Sequence, residues 1–169
     1  MILLQGTRTN AQAVLPKRAT AQAACWDLSA CLVDGDRIQV YNSWNEYATR
    51  IVNQQQVTLF GGERALIPTG WIFDIPESHS MRLHPRSGLA WKQGISLANA
   101  EGVIDSDYTQ ETFVLLCNTT EVQHVISHGD RISQMELVPV CEFAFNEQAE
   151  APHVKTDRQG GFGSTGISS

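Results

Sequence analysis

The chain lacks a surplus of positive charge: 18 Asp and Glu stand against 12 Lys and Arg in 169 residues, a formal net charge of −6. Without a basic footprint it is not expected to bind a nucleic-acid backbone, and a polyanionic ligand would have to be received by a few placed cations and a metal. It lacks any apolar run long enough to span a bilayer, so no membrane contact is expected. It is poor in cysteine, with only Cys25, Cys31, Cys117 and Cys141. None of these form C-x-x-C or stand with histidine at zinc-ligand spacing, so reduced, ordinary thiols are expected. The opening Met1-Ile2-Leu3-Leu4 meets Gln5 and Gly6 too soon for a secretory leader, and the expected compartment is the cytoplasm.

What is present is 42% hydrophobic residues, dispersed in short runs between turn residues. This pattern predicts an all-β domain of sandwich, jelly-roll or barrel type. Expected strands are Cys25–Leu32, Arg37–Val40, Val57–Phe60, Arg64–Pro68, Trp71–Ile75 and Met81–His84. Further along come Ser96–Ala98, Val103–Ile104, Phe113–Asn118, Val122–Ile126, Arg131–Val138 and Cys141–Phe145. Tyr41–Gln56 is polar and reads as a long loop or insertion. Gly35-Asp36-Arg37 and Gly129-Asp130-Arg131 read as one turn used twice. A short helix is expected through Leu89, Ala90, Trp91 and Lys92, capped by Ser87 and stopped by Gly94. The domain is expected to span residues 1–146. Residues 147–169 form a polar, then glycine-rich tail, too costly in backbone entropy to pack alone.

Four segments carry candidate chemistry. Pro85-Arg86-Ser87-Gly88 precedes the helix, where unpaired N–H groups, a guanidinium and a hydroxyl suit phosphate. Alone, it also reads as a turn with a capping serine. Gly102-Val103-Ile104-Asp105-Ser106-Asp107-Tyr108 reads as a β-hairpin that returns as Phe113–Asn118, with acids at its end. Asp105 is either a solvated turn residue or a general base. Asp27 alternates with Trp26 and Leu28, so it is expected with Ser29 on a polar face, solvated or holding a metal-bound water. Gln134, beyond Gly129-Asp130-Arg131, can reach a phosphate oxygen, whereas Asp130 and Arg131 suit structural ion pairs.

In order, Ala24–Ala30, Pro85–Ala90, Asn99–Tyr108, Gly129–Gln134 and Gly160–Gly166 resemble the five motifs of the trimeric dUTPase family, over nearly the whole chain. The resemblance implies a distorted β jelly roll (a β-clip) with one short helix after the Pro-Arg-Ser-Gly motif. It implies a homotrimer with sites at its subunit interfaces. The implied reaction is hydrolysis of dUTP to dUMP and pyrophosphate, which limits uracil in DNA and supplies dUMP. By the same resemblance Asp105 is the water-activating base and Tyr108 packs under the deoxyribose. Asn99, Val103, Ile104 and Phe113 read uracil, while Arg86, Ser87, Gly88 and Gln134 hold phosphates. Asp27 holds Mg2+ through water. Arg158, Phe162, Gly163, Ser164 and Thr165 close over the nucleotide from the tail.

The chain departs from the family pattern at Gln110, where many members have glycine, and at the bulky Trp91. Arg158 is one residue closer to Phe162 than usual, and the Tyr41–Gln56 segment is longer. A dCTP deaminase, or a dual dCTP and dUTP hydrolase, is the rival enzyme of the same superfold. Its deamination requires a glutamate on the returning strand, which here reads Phe113-Val114-Leu115-Leu116. A nucleotide-sensing regulatory protein is the non-enzymatic alternative.

Overall fold

The computed structural model describes residues 2–157. In chain order the strands are β1 (Gln5–Arg8), β2 (Trp26–Ser29), β3 (Arg37–Tyr41), β4 (Tyr47–Ile51), β5 (Gln56–Leu59), β6 (Arg64–Pro68), β7 (Trp71–Asp74) and β8 (His79–His84). The helix α1 (Ser87–Gln93) follows, then β9 (Ile95–Leu97), β10 (Gly102–Ile104), β11 (Phe113–Asn118), β12 (His124–Ser127) and β13 (Arg131–Pro139). Two main sheets, ordered β10-β8-β13-β2 and β4-β3-β6-β11-β9, are accompanied by the pairs β1-β7 and β12-β5. All pairings are antiparallel, as expected of an all-β domain.

Period-two patterning decides which residues face the core. β3 buries Ile38 and Val40, β6 buries Ala65 and Ile67, and β11 buries Val114 and Leu116. β8 and β13 add Met81, Leu83 and Met135 from the other sheet. A bulge between Arg131 and Ser133 breaks the alternation, so Ile132 and Ser133 are both buried. Asn118 is buried but satisfied: its Nδ2 donates to the carbonyls of Leu59 (3.1 Å) and Val122 (2.7 Å), and its Oδ1 accepts from the Thr120 N–H at 3.0 Å.

The two Gly-Asp-Arg segments are indeed one device used twice. Gly35 and Gly129 take φ of 93° and 83°. Asp36 Oδ2 accepts the Val33 N–H at 3.0 Å and Asp130 Oδ2 accepts the Ser127 N–H at 2.8 Å, each just before a strand begins with arginine.

Several expectations are corrected. Tyr41–Gln56 is not a loop: β4 pairs with β3 from Tyr41↔Tyr47 to Arg37↔Ile51. Its polar composition misled because the arm's outer strand is mostly exposed. Arg50 anchors the arm to buried Glu63 by two contacts, of 2.7 and 2.9 Å. Cys141–Phe145 forms no strand, and Phe143 and Phe145 are exposed, so their apolar character reflects no packing among the described residues. β1 was not anticipated, because all four of its residues are exposed and it carries no apolar pattern. Trp26, expected inward with Leu28, is 45% exposed at the edge of its sheet. No helix among the described residues is long and apolar enough to cross a membrane.

Candidate active site

Two groups of expected site residues form, at opposite ends of β8. The first surrounds a cavity of about 340 Å³ whose lining includes Asn99, Val103, Ile104, Asp105, Tyr108 and Phe113. Leu66, Leu83, Leu97 and Leu115 supply its apolar walls. The expected hairpin is corrected: β10 pairs with β8, whereas β11 pairs with β6 and β9, so the two arms belong to different sheets. The connection from Asp105 to Thr112 therefore crosses between sheets. β10 is an edge strand with one flank unpaired, and β9 reaches along β11 only from Leu116 to Asn118. Open backbone donors and acceptors thus border the cavity, ready for a ligand with a polar edge.

The crossing segment is pinned from within. The Tyr108 N–H donates to the Asp105 carbonyl at 3.2 Å, and the Tyr108 hydroxyl donates to the Glu111 carbonyl at 2.9 Å. Glu111 Oε1 in turn accepts the Gly70 N–H at 2.8 Å. Sequence reasoning missed this role of Glu111; its only signal was an acid at the foot of a strand. Gly102 is buried where a Cβ would stand 3.0 Å from Leu83 Cβ and 3.4 Å from Asn99 Nδ2, so glycine permits the close approach. Asp105 is the one carboxylate in the lining, and its side chain makes no ion pair or hydrogen bond to the described residues. The cavity also collects Thr112, buried at its wall, which sequence reasoning passed over.

The second group is a buried carboxylate between two guanidinium groups. Asp27, expected on a polar face and either solvated or holding a metal-bound water, is only 6% exposed. Its Oδ2 meets Arg131 Nη1 at 3.0 Å and its Oδ1 lies 3.3 Å from Arg86 Nε. The latter is an ion-pair distance without hydrogen-bond alignment, so charge rather than direction holds it. Arg86 Nη1 also donates to the Arg131 carbonyl at 3.0 Å. Two cations on one buried anion leave net positive charge here, despite the acidic chain. Arg131 performs the structural pairing anticipated for it, whereas Asp130 accepts the Ser127 N–H and forms no ion pair among the described residues. Gln134 faces Asp27 across β2 and His84 across β8.

α1 begins here, with a corrected cap. Arg86 occupies the N-cap with extended backbone (φ −92°, ψ 124°), and Ser87 is the first helical residue with no side-chain capping bond. The Ser87 hydroxyl and the backbone at Gly88 are exposed instead. Gly94 ends the helix as expected, at φ 62°. The helix buries none of its residues, and Trp91 is 87% exposed.

The separation follows from register. Ile104 pairs with Met81, so Asp105 lies beside the start of β8, while Arg86 comes five residues after Met81 along extended chain. At the rise of a β-strand that puts about 16–20 Å between them, longer than a triphosphate chain. The expected tail residues Arg158, Phe162, Gly163, Ser164 and Thr165 lie outside the described residues.

The chain is similar to known proteins in both sequence and fold. The model of the family described as dUTPase matches residues 50–166. The chain is 43% identical over 153 residues to the deoxyuridine 5'-triphosphate nucleotidohydrolase of Rhizobium etli, covering 90% of this chain and 85% of that protein. It is 50% identical over 111 residues to that of Rhizobium johnstonii, covering 66% of this chain and 70% of the relative. Its fold is similar to the dUTPase of Staphylococcus bacteriophage 80alpha solved with dUpNHpp, with TM-score 0.77 at 20% identity over 99% of this chain and 100% of the other. It is also similar to the dUTPase of phage phi11 of S. aureus, a structure described as showing the coordination of a structural Mg(II) ion, with TM-score 0.69 at 19% identity over 88% and 98% of the two chains.

Proposed function

The chain belongs to the dUTPase family and is a dUTP diphosphatase, and from that premise we propose that Asp105 activates the water that cleaves dUTP to dUMP and pyrophosphate. The observation that carries this reading is the cavity with one carboxylate at its rim, between an unpaired edge of β10 and the start of β11. Asp105 takes a proton from water as the new oxygen–phosphorus bond forms at the α-phosphate. The bond to the β-phosphate breaks, and pyrophosphate leaves with its electron pair. A general base in this role is worth about 10²–10⁴ in rate.

Uracil enters the cavity with its polar edge against the backbone of Val103 and Ile104, and with Asn99 and Phe113 beside it. Cytosine presents donors and acceptors reversed at two of those positions. Buried polar readout of this type discriminates by about 10⁴–10⁵. The Tyr108 ring, held by its bond to Glu111, packs under the deoxyribose. Arg86, Ser87, Gly88 and Gln134 bind the phosphates, with the charge of the Arg86–Asp27–Arg131 cluster behind them.

Because about 16–20 Å of strand separates Asp105 from Arg86, one nucleotide takes its base from one copy and its phosphate clamp from another. Resemblance to the trimeric dUTPases supports three copies, with the sites at the interfaces. A helix with no buried residue and an exposed Trp91 supports an interface on this side. The tail beyond residue 147 supplies the lid: Phe162 covers the base, and Arg158, Gly163, Ser164 and Thr165 close on the phosphates. The match of the family model as far as residue 166 supports that role. Four free thiols suit a reducing, cytoplasmic setting.

Mg2+ is the family's cofactor, and Asp27 fits a limited part in holding it. Each of its oxygens already meets a guanidinium nitrogen, which leaves room to accept a hydrogen bond from a metal-bound water but not for a bare cation. Mg2+ would therefore be held chiefly by the triphosphate itself, where it offsets the charge that builds on the phosphates.

The test is a panel of dUTP, dCTP, dTTP and UTP with Mg2+, following pyrophosphate and ammonia together. Pyrophosphate from dUTP alone is expected. Ammonia from dCTP would instead assign a deaminase, for which neither β11 nor the cavity lining offers a glutamate. Asp105→Asn is expected to bind nucleotide and assemble normally while losing nearly all turnover; normal turnover would remove Asp105 as the base.

A further inference from the structure

On the outer face of the four-stranded sheet, beside Asp27 and Gln134, Cys25, His84 and Glu136 each offer one ligand atom, and these atoms lie within 4.8 Å of one another. We propose that they form a binding site for a zinc-class divalent cation, oriented by Glu101.

Register brings the four residues together. Leu83 and Met135 face each other across β8 and β13 and point into the core, so His84 and Glu136, each one residue further along, point the opposite way. Cys25 precedes Trp26, the partner of Met135, and Glu101 precedes Gly102, the partner of Leu83. Four segments far apart in the chain thus deliver their side chains to one face, and no local spacing could reveal it.

The geometry is close to a coordination shell. His84 Nε2 lies 3.1 Å from Glu136 Oε2. A tetrahedral ion with bonds of about 2.0–2.3 Å holds its donors about 3.3–3.7 Å apart, so small side-chain rotations suffice. The other ring nitrogen, Nδ1, stands 3.6 Å from Glu101 Oε1, and Arg82 Nη1 braces that carboxylate at 3.2 Å. A carboxylate behind a ligating histidine fixes its tautomer and raises its basicity, and Glu101 occupies that position. One sulfur, one nitrogen and one oxygen donor favour Zn2+ or Co2+ over Mg2+, which prefers oxygen alone. The fourth coordination position is left to water.

Electrostatics leaves a place for a cation. Burial first, then the charges of Glu136 and Asp27, push the Cys25 thiol pKa up. A cation reverses this: the sulfur–metal bond forms, the S–H bond breaks and the proton passes to solvent. The ion would tie the edge strand β2 to β8 and β13. The proposed hydrolysis assigns no role to these residues, and the metal-binding readout needs no turnover, so the two readings stand or fall separately. Without a metal, the His84 ring simply lies between the Glu101 and Glu136 carboxylates, at 3.6 and 3.1 Å.

The test uses the full chain stripped with chelator and titrated with Co2+ and Zn2+. Expected are one ion per chain, a sulfur-to-cobalt charge-transfer band with tetrahedral visible bands, and a Zn2+-dependent rise in Tm. Cys25→Ser should abolish the charge-transfer band. Glu101→Gln should keep the band but weaken binding about 10–100-fold. Both variants should hydrolyse dUTP with Mg2+ as the parent does. Octahedral Co2+ spectra without the sulfur band, or Zn2+ binding unchanged by Cys25→Ser, would overturn the proposal.

Discussion

If the base and the phosphate clamp come from different copies, two dead variants mixed together should revive each other. Asp105→Asn removes the base and leaves Arg86. Arg86→Gln removes a clamp residue while Asp27 keeps its 3.0 Å partner Arg131, so folding should survive. Alone, each variant should lose about 10²–10⁴ in kcat. In equal mixtures of subunits assembled at random, a site is whole when the copy giving the base carries Asp105 and the copy giving the clamp carries Arg86. Each condition is met half the time, so about one quarter of sites should recover whatever the third copy carries. The assay is pyrophosphate release from dUTP after subunit exchange; isolating the mixed oligomers through two different tags removes homo-oligomers and should raise the recovered share to about one third. No recovery in verified mixed oligomers would refute the reasoning, because a site built within one chain gives none.

Ending the chain at Asp157 should lower kcat by removing the closing residues, and unchanged kinetics would reject the lid. Glu63→Gln should cost about 3 kcal/mol, read by denaturant unfolding, because it leaves Arg50 facing a neutral group at the base of the β3–β4 arm. Burial pushes the Glu63 pKa up, but the Arg50 and Phe60 hydrogen bonds and the Arg50 charge outweigh it, and the net shift is downward. Its contribution is therefore full above the unfolded carboxylate value and fades as pH falls through the lower folded one. The stability gap between Glu63→Gln and the parent should close below about pH 4; a gap independent of pH would contradict this. Gly94→Ala should lower Tm by an amount equivalent to about 1–2 kcal/mol, since a Cβ at φ +62° would stand 2.3 Å from Thr120 Cγ2; an unchanged Tm would show that the turn can shift.

Short-range features were legible in the sequence itself. The Arg86–Gly88 turn, the helix stopped by Gly94, the repeated Gly-Asp-Arg turn and the alternation in β3, β6 and β11 each depend on residues within a few positions. Dihedral preference and side-chain period act at that range, so the residue order carries them directly. Pairing between distant segments does not leave such a trace. Val103-Ile104 and Phe113–Asn118 looked like two arms of one hairpin, yet each found a better partner elsewhere, and the cavity exists because they separated. Asp27 looked like a solvated strand acid until the fold brought in Arg86 and Arg131 from 59 and 104 positions away. Cys25, His84 and Glu136 met for the same reason. Alternation says which side chains share a face, but only the burial and hydrogen bonding of the whole chain choose the neighbouring strand, and with it the chemistry on that face.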